Sequence, residues 1–216
     1  MIQAPMLEPP GRRLTKKNYP MKYWYGLLLV AFLASCQDPI YTPKPRGYPK
    51  VEYPEKAYVP FSEGYCDLSF EYPRYAEIQR DTVYLNEKPA HPCWFDIFFP
   101  SFDARLHCTY APVGEAKSFE ELRSDAFELA NWHNKKASYI EENLIENQYG
   151  SRGLTFEFEG PVASQFQFFL TDSLHRHFFR GALYFNAEAR PDSLAPIYEF
   201  LRQDVDRMLS TFQWKD

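Results

Sequence analysis

The chain has 216 residues, 45% of them hydrophobic and 18% aromatic, with 24 basic against 29 acidic side chains. That length supplies one domain plus a tether, and the apolar content is ample for a core. The acidic balance argues against nucleic acid and anionic headgroups as partners, and no run beyond the leader is long enough to span a bilayer.

The first element is a leader. Lys16, Lys17 and Lys22 precede a short apolar run, Tyr25 to Phe32, which closes on Leu33-Ala34-Ser35-Cys36. A charged n-region, a brief h-region and small residues at a cut are the pattern of a secretory signal. The run falls short of the ~20 apolar residues that a spanning helix needs. Leu-Ala-Ser-Cys matches the lipobox of bacterial lipoproteins at every position. In that class the cysteine sulfur receives a diacylglycerol, the peptidase cuts before it, and the new amine is acylated. Residues 1–35 are therefore expected to be a signal peptide, with Met21 as the start, and Cys36 the lipidated residue. Two or three acyl chains, at ~0.8 kcal/mol per buried methylene, hold a protein on a membrane effectively for good. Taking away the five basic and one acidic side chains of the leader leaves 19 basic against 28 acidic residues, a net charge of −9.

Residues 36–61 read as a lipidated tether. Pro39, Pro43, Pro45, Pro49, Pro54 and Pro60 alternate with Tyr41, Tyr48, Tyr53 and Tyr58. Proline fixes φ and removes donors, so the segment should be extended and semi-rigid. The tyrosines leave room for part of it to pack on the domain.

The domain, residues 62–216, opens with a strand at Cys66 to Tyr72, stopped by Pro73. A second strand is expected within Tyr75 to Leu85. Cys93 to Phe99 is apolar enough for a central strand. After a turn at Pro100-Ser101-Phe102-Asp103, Ala104 to Tyr110 returns. A tight hairpin puts Phe95, Ile97 and Phe99 beside Ala104, Leu106 and Cys108 on one face. Asp96 and His107 then meet on the other, as a structural cross-strand pair.

Ser118-Phe119-Glu120-Glu121 is a capping box. The helix it opens carries Phe119, Leu122, Ala126, Leu129 and His133 on one stripe and ends near Asn134. Phe127 and Trp132 fall off that stripe. A strand is possible at Ala137 to Glu142. Further strands follow at Leu154 to Phe158, Gln165 to Leu170 and Phe178 to Phe185. Gly181 inside the last suggests a bulge or a close approach. A final helix starts near Asp192 or Ser193, with Pro196 in its first turn. Its buried face is Leu194, Ile197, Leu201, Val205, Met208 and Phe212. Strands joined by tight turns predict an α+β fold, a mainly antiparallel sheet packed by a mid-chain and a C-terminal helix. The element order looks like the Mog1/PsbP-like fold.

Chemistry is sparse. The chain has no His-Glu-x-x-His, no Gly-x-Ser-x-Gly, no Gly-x-Gly-x-x-Gly and no Walker loop. No cofactor or metal is expected. His175 and His177 could point one way from a strand, but a metal needs more ligands and supporting contacts. Asp172, Ser173 and His175 hold triad letters, yet Asp-Ser is ordinary turn chemistry. Cys66, Cys93 and Cys108 remain after lipidation, an odd set that allows at most one internal disulfide. Arg180 stands in an apolar strand, so it is paired inside the fold or offered to a partner.

Several segments resemble one family. Tyr-Thr-Pro-Lys-Pro-Arg-Gly-Tyr-Pro at 41–49, Phe-Glu-Tyr-Pro at 70–73 and Cys-Trp-Phe-Asp-Ile-Phe-Phe-Pro at 93–100 are three of them. Gln-Phe-Phe-Leu-Thr-Asp-Ser at 167–173 and Phe-Phe-Arg-Gly-Ala-Leu-Tyr-Phe-Asn-Ala at 178–187 are two more. With the lipobox, these look like the gliding motility lipoprotein GldD family of Bacteroidota. The resemblance covers essentially all of the mature chain. It implies a non-enzymatic outer-membrane lipoprotein, a structural or assembly component of gliding motility and the associated type IX secretion machinery. It implies partners among other envelope proteins. It also implies a Cys66–Cys93 disulfide, with Cys108 outside it. Surface-exported lipoproteins of the phylum resemble one another in an acidic cluster after the lipidated cysteine. Here only Asp38 follows, so the domain is expected to face the periplasm.

Two other functions compete: a small-ligand-binding lipoprotein using the aromatic sheet, and a hydrolase using Asp172, Ser173 and His175. A deep apolar pocket favours the first, a convergent cleft of His, Ser and Asp the second. Surplus aromatics suit contact surfaces, since they bring large area at low rotamer cost. Tyr41, Tyr48, Tyr53, Tyr58, Arg180 and Tyr184 are the contact candidates.

Overall fold

Alternating Phe, Leu and Ile positions need two covers, one for each face of a sheet, and the chain supplies a helix for each. The computed structural model describes residues 51–80, 89–187 and 190–215. The leader, Cys36, Tyr41 and Tyr48 lie outside these residues. Strands β1 (Tyr58–Phe61), β2 (Leu68–Pro73), β3 (Glu77–Arg80), β4 (Trp94–Phe99) and β5 (Ala104–Pro112) come first. Helix α1 (Phe119–Asn131) follows, then β6 (Tyr139–Glu146), β7 (Arg152–Glu159), β8 (Ser164–Thr171) and β9 (His177–Phe185). Helix α2 (Pro191–Thr211) and β10 (Gln213–Trp214) finish the chain. One sheet has seven strands in the order β3-β4-β5-β9-β8-β7-β6, and a smaller one has the order β1-β2-β10. Every pairing is antiparallel. The fold is α+β.

The β4–β5 hairpin has the expected register: Phe95 opposite Cys108, Asp96 opposite His107, Ile97 opposite Leu106. Its turn is a 3-10 turn over Pro100–Phe102, closed by Asp103 at φ 45°. The strand expected to be central, β4, stands second from the edge, and β9 lies nearer the middle. Sheet order depends on which β5 neighbour arrives from far along the chain, and that is not a local property.

One face of the large sheet packs under α2 and the small sheet. Phe95, Phe99, Leu106, Phe168 and Phe179 meet Leu201, Val205, Met208 and Phe212 there, each nearly or fully buried. Each such side chain contributes roughly 1.5–3 kcal/mol through burial. The opposite face packs under α1, where Ala126 and Ala130 meet Phe156, Phe158, Phe169 and Phe178. Gly181 belongs to the α2 face, beside Phe168, and is needed there for space. A Cβ on it would sit 2.2 Å from the Phe168 ring. The close approach is a neighbouring aromatic ring and not a backbone, and the irregularity in the β8–β9 ladder lies between Ser164 and Phe166.

Cys66, just before β2, and Cys93, just before β4, form a disulfide with Cα atoms 5.0 Å apart. Closing a loop of 27 residues stabilises the fold by about 3.5 kcal/mol in the chain-entropy account. Cys108 is buried outside it, with its thiol 3.6 Å from the Leu106 carbonyl oxygen.

Three boundaries differ from the expectation. The tether is expected to run to residue 61, but Tyr58–Phe61 pairs with β2 as a strand, because Phe61 stacks on Phe70 and Phe95. The α1 stripe is rotated. Ala130 is buried while Leu129 is 43% exposed, and the helix passes into a 3-10 turn at Trp132–Lys135. Helix α2 begins at Pro191, so Pro196 lies past its first turn. There its missing N–H removes one helical hydrogen bond.

Candidate functional site

Helix α1 has 13 residues, about 20 Å of length, and its core contacts fall on β7, β8 and β9. A seven-stranded sheet is wider than that. The uncovered side, over β4 and β5, becomes a groove of about 740 Å³. Its floor is Trp94 from β4, Arg105, His107 and Thr109 from β5, and Arg180 and Tyr184 from β9. Leu122, Asp125, Ala126 and Leu129 of α1 form one wall, and Glu115 to Lys117 close one end. The strand period decides which side chains arrive: alternate residues of β5 and β9 point here, while those between them enter the α2 core.

The groove floor carries one built polar network. Asp96 is buried between β4 and β5. Its carboxylate accepts from His107 Nδ1 at 2.6 Å and from the Arg105 guanidinium at 2.8 Å. Burial opposes ionisation of Asp96, but the bonds and charges of His107 and Arg105 outweigh it and hold the carboxyl below its ordinary value. Arg180 donates to the Gln167 side-chain oxygen at 2.9 Å. That partner is a neutral amide inside the fold. Lys117 and Asp125 pair at the rim. The result is an apolar trough with charged groups held in place by side chains beside and below them.

A second cluster lies on the other side of the sheet. Asp204 of α2 is 1% exposed. It accepts from Lys56 at 2.7 Å, from the Tyr58 hydroxyl at 2.8 Å and from the Tyr75 hydroxyl. Lys56 also donates to the Phe200 carbonyl at 2.8 Å and lies over the Phe200 ring. One carboxylate thus binds the incoming arm, the β2–β3 turn and α2 together.

The family model described as gliding motility lipoprotein GldD matches residues 38–214. The chain belongs to that family. A comparison with curated proteins gives no match. Among solved structures the lipoprotein is similar to the solution structure of cyanobacterial PsbP (CyanoP) from Synechocystis sp., with 15% identity and a TM-score of 0.42. That likeness covers 74% of this chain and 94% of that one.

Four of the five family-worded segments of the lipoprotein fall on β2, β4, β8 and β9, so much of what marks the family is sheet and groove floor, and the fifth, 41–49, lies outside the described residues. The contact candidates among the described residues divide between two places. Arg180 and Tyr184 line the groove. Tyr53 packs on Phe200 and Phe102, with ring centroids 4.8 and 6.0 Å away, and Tyr58 joins the Asp204 cluster.

The triad letters are not assembled. Asp172 accepts from the backbone N–H of Arg176 and His177 and from the Arg176 side chain, which makes it the keystone of the β8–β9 turn. Burial again opposes its charge, and Arg176 with those backbone donors lowers its pKa. His175 sits at φ 52° and stacks on Phe119 at 3.9 Å. His177 turns the other way, to the Tyr110 hydroxyl at 2.7 Å and the Trp214 ring. Among the described residues no group of three metal-ligating side chains converges. Sequence reasoning missed the Asp204 cluster. The available signal was an aspartate within the apolar stripe Leu201, Val205, Met208.

Proposed function

We propose that this is a non-enzymatic lipoprotein anchored in the outer membrane through Cys36, with its domain in the periplasm. On this reading it is a structural or assembly component of the gliding machinery and the associated type IX secretion system. The observation that carries the proposal is the family match across residues 38–214, which reaches nearly to the lipobox. The internal engagement of Asp172, His175, His177 and Asp204 supports it, because each has a turn or packing task. The groove is then a contact surface, with Trp94, Tyr184 and Leu129 as apolar area and Arg105 and Arg180 as fixed charge.

The test separates a surface from a catalyst. His107→Gln keeps a donor toward Asp96 but removes the imidazole, and Leu129→Asp puts a charge on the groove wall. In folded, acylated variants, His107→Gln should leave gliding and the envelope complex intact, and Leu129→Asp should weaken both. Loss of gliding in His107→Gln with the complex still assembled points to chemistry and sinks the proposal. Cys36→Ser should leave unacylated precursor, and protease added to intact cells should spare the domain.

A second reading has one observation behind it. A trough of about 740 Å³ is also the size of a small-molecule site. A small molecule retained through purification, and lost in Arg180→Ala, is the result that favours this reading.

A further inference from the structure

Strand β6 ends the seven-stranded sheet, so among the described residues no strand pairs with the far side of its backbone. It is eight residues long, Tyr139–Glu146, and pairs with β7 at every position. An edge of this length presents a row of N–H and C=O groups ready to template another strand. Its side chains are also unusual for an edge. Leu144 is 90% exposed and Tyr139 is 57% exposed.

Both faces beside this edge are hollowed. On the α2 side a depression of about 690 Å³ is bounded by Asn143, Ile145, Arg202, Asp206 and Leu209. On the α1 side another of about 600 Å³ is bounded by Glu120, Arg123, Ser124, Phe127 and Leu154. Leu144 pairs with Leu154, which lines this second, partly apolar hollow, and Leu144 itself also borders the first. An added strand sends alternate side chains to opposite faces. Each set would find a hollow waiting.

Charge selects the occupant. Glu141 points to the α2 face and Glu142 to the α1 face, since they pair with Glu157 and Phe156. Glu157 is neutralised by Arg202 and accepts from Tyr198, and Glu146 pairs with Arg152. Glu141 and Glu142 make no ion pair among the described residues. A second copy of β6 would double these carboxylates within one ladder, and like charges across a ladder are destabilising. A cationic strand would instead relieve them.

We propose that the β6 edge is a strand-addition site for an extended, basic segment of another envelope protein, with lysine or arginine toward Glu141 and Glu142 and an apolar residue toward Leu144. Backbone bonding supplies the affinity and the two hollows supply the specificity. The proposal rests on the reading of this lipoprotein as an assembly component and names the kind of partner it takes.

The test uses the full acylated lipoprotein in detergent micelles. The probe is a ten-residue synthetic peptide of lysine, threonine and valine with lysines on both faces. A second peptide carries glutamate in place of lysine. The lysine peptide should slow amide hydrogen exchange across residues 139–146 and bind more weakly as salt rises. Glu141→Lys with Glu142→Lys should weaken it at least tenfold and admit the glutamate peptide. Leu144→Arg, a second exposed change, should weaken the lysine peptide even if the double variant misfolds. Exchange protection elsewhere, unchanged affinity in the folded variants, or a homodimer joined through β6 overturns the site. If the edge fails while gliding still depends on the lipoprotein, only this inference falls. If deleting the lipoprotein leaves gliding unchanged, the assembly reading falls and the peptide measurement still decides the edge.

Discussion

Asp204 is set on α2 among Leu201, Val205 and Met208, with 1% of its surface exposed. A carboxylate there is tolerable only if it is paired and hydrogen-bonded, and Lys56, Tyr58 and Tyr75 meet that need. All three lie more than a hundred residues upstream, so periodicity along α2 marks the oddity without naming the partners. The Asp96–His107 pair is the opposite case: a short turn between adjacent strands and a period of two are enough to set the two residues opposite each other. The Asp204 cluster makes stability sensitive to alkali. Burial, then the hydrogen bond to Asp204, pushes the Tyr58 hydroxyl up from 10.0 to about 12. The unfolded chain releases that proton at the ordinary value, while the fold retains it. The contribution of Tyr58 is therefore whole below pH 10.0 and lost as pH rises through about 12. Urea denaturation across this window should show stability falling. Tyr58→Phe should be less stable at neutral pH yet fall less steeply between those values. Some slope should survive, because burial also pushes the Tyr110 hydroxyl to about 12. Parallel slopes in parent and variant would falsify the assignment.

At the scale of elements, the hairpin β4–β5 and the capped start of α1 are legible because both depend on neighbours close in sequence. Ser118 accepts from the Glu121 N–H and Glu121 accepts from the Ser118 N–H, as the spacing Ser-x-x-Glu requires. The buried face of α1 is less legible. A stripe with Leu129 fits helical spacing as well as one with Ala130. What decides is that the helix lies over β7 to β9, where Ala126 and Ala130 are buried against Phe156, Phe158 and Phe169, with Phe127 packed beside them. Leu129 then overhangs the groove. Two substitutions separate the alternatives by thermal or urea unfolding. Leu129→Ala should change stability by no more than about 0.5 kcal/mol, as at an ordinary surface position. Ala130→Leu should cost about 1–3 kcal/mol through overpacking. A large loss at Leu129 with none at Ala130 restores the stripe read from the sequence.

For the whole molecule, fold class follows from element types and short turns, whereas sheet order and the reach of the arm follow from long-range pairing. Proline at 54 and 60 argues for a spacer, yet β1 needs no interior donor at Pro60 because β1 is an edge of the small sheet. The arm is thus part of the domain from Tyr53 onward. It supplies Phe61, which is 1% exposed, and it supplies the cation for Asp204. Removing it exposes apolar area worth about 2 kcal/mol at Phe61 alone. It also leaves a buried carboxylate without its ammonium, a loss on the order of 3–5 kcal/mol. Together these approach the ~5–15 kcal/mol that holds a typical domain folded. A chain beginning at residue 51 should therefore unfold in one cooperative transition. A chain beginning at residue 62, the boundary read from the sequence, should be at least about 5 kcal/mol less stable and readily cut by protease. Lys56→Met in the longer chain should fall between them, because it breaks the ion pair and keeps β1. Equal denaturation midpoints for the two truncations would return residues 51–61 to the tether.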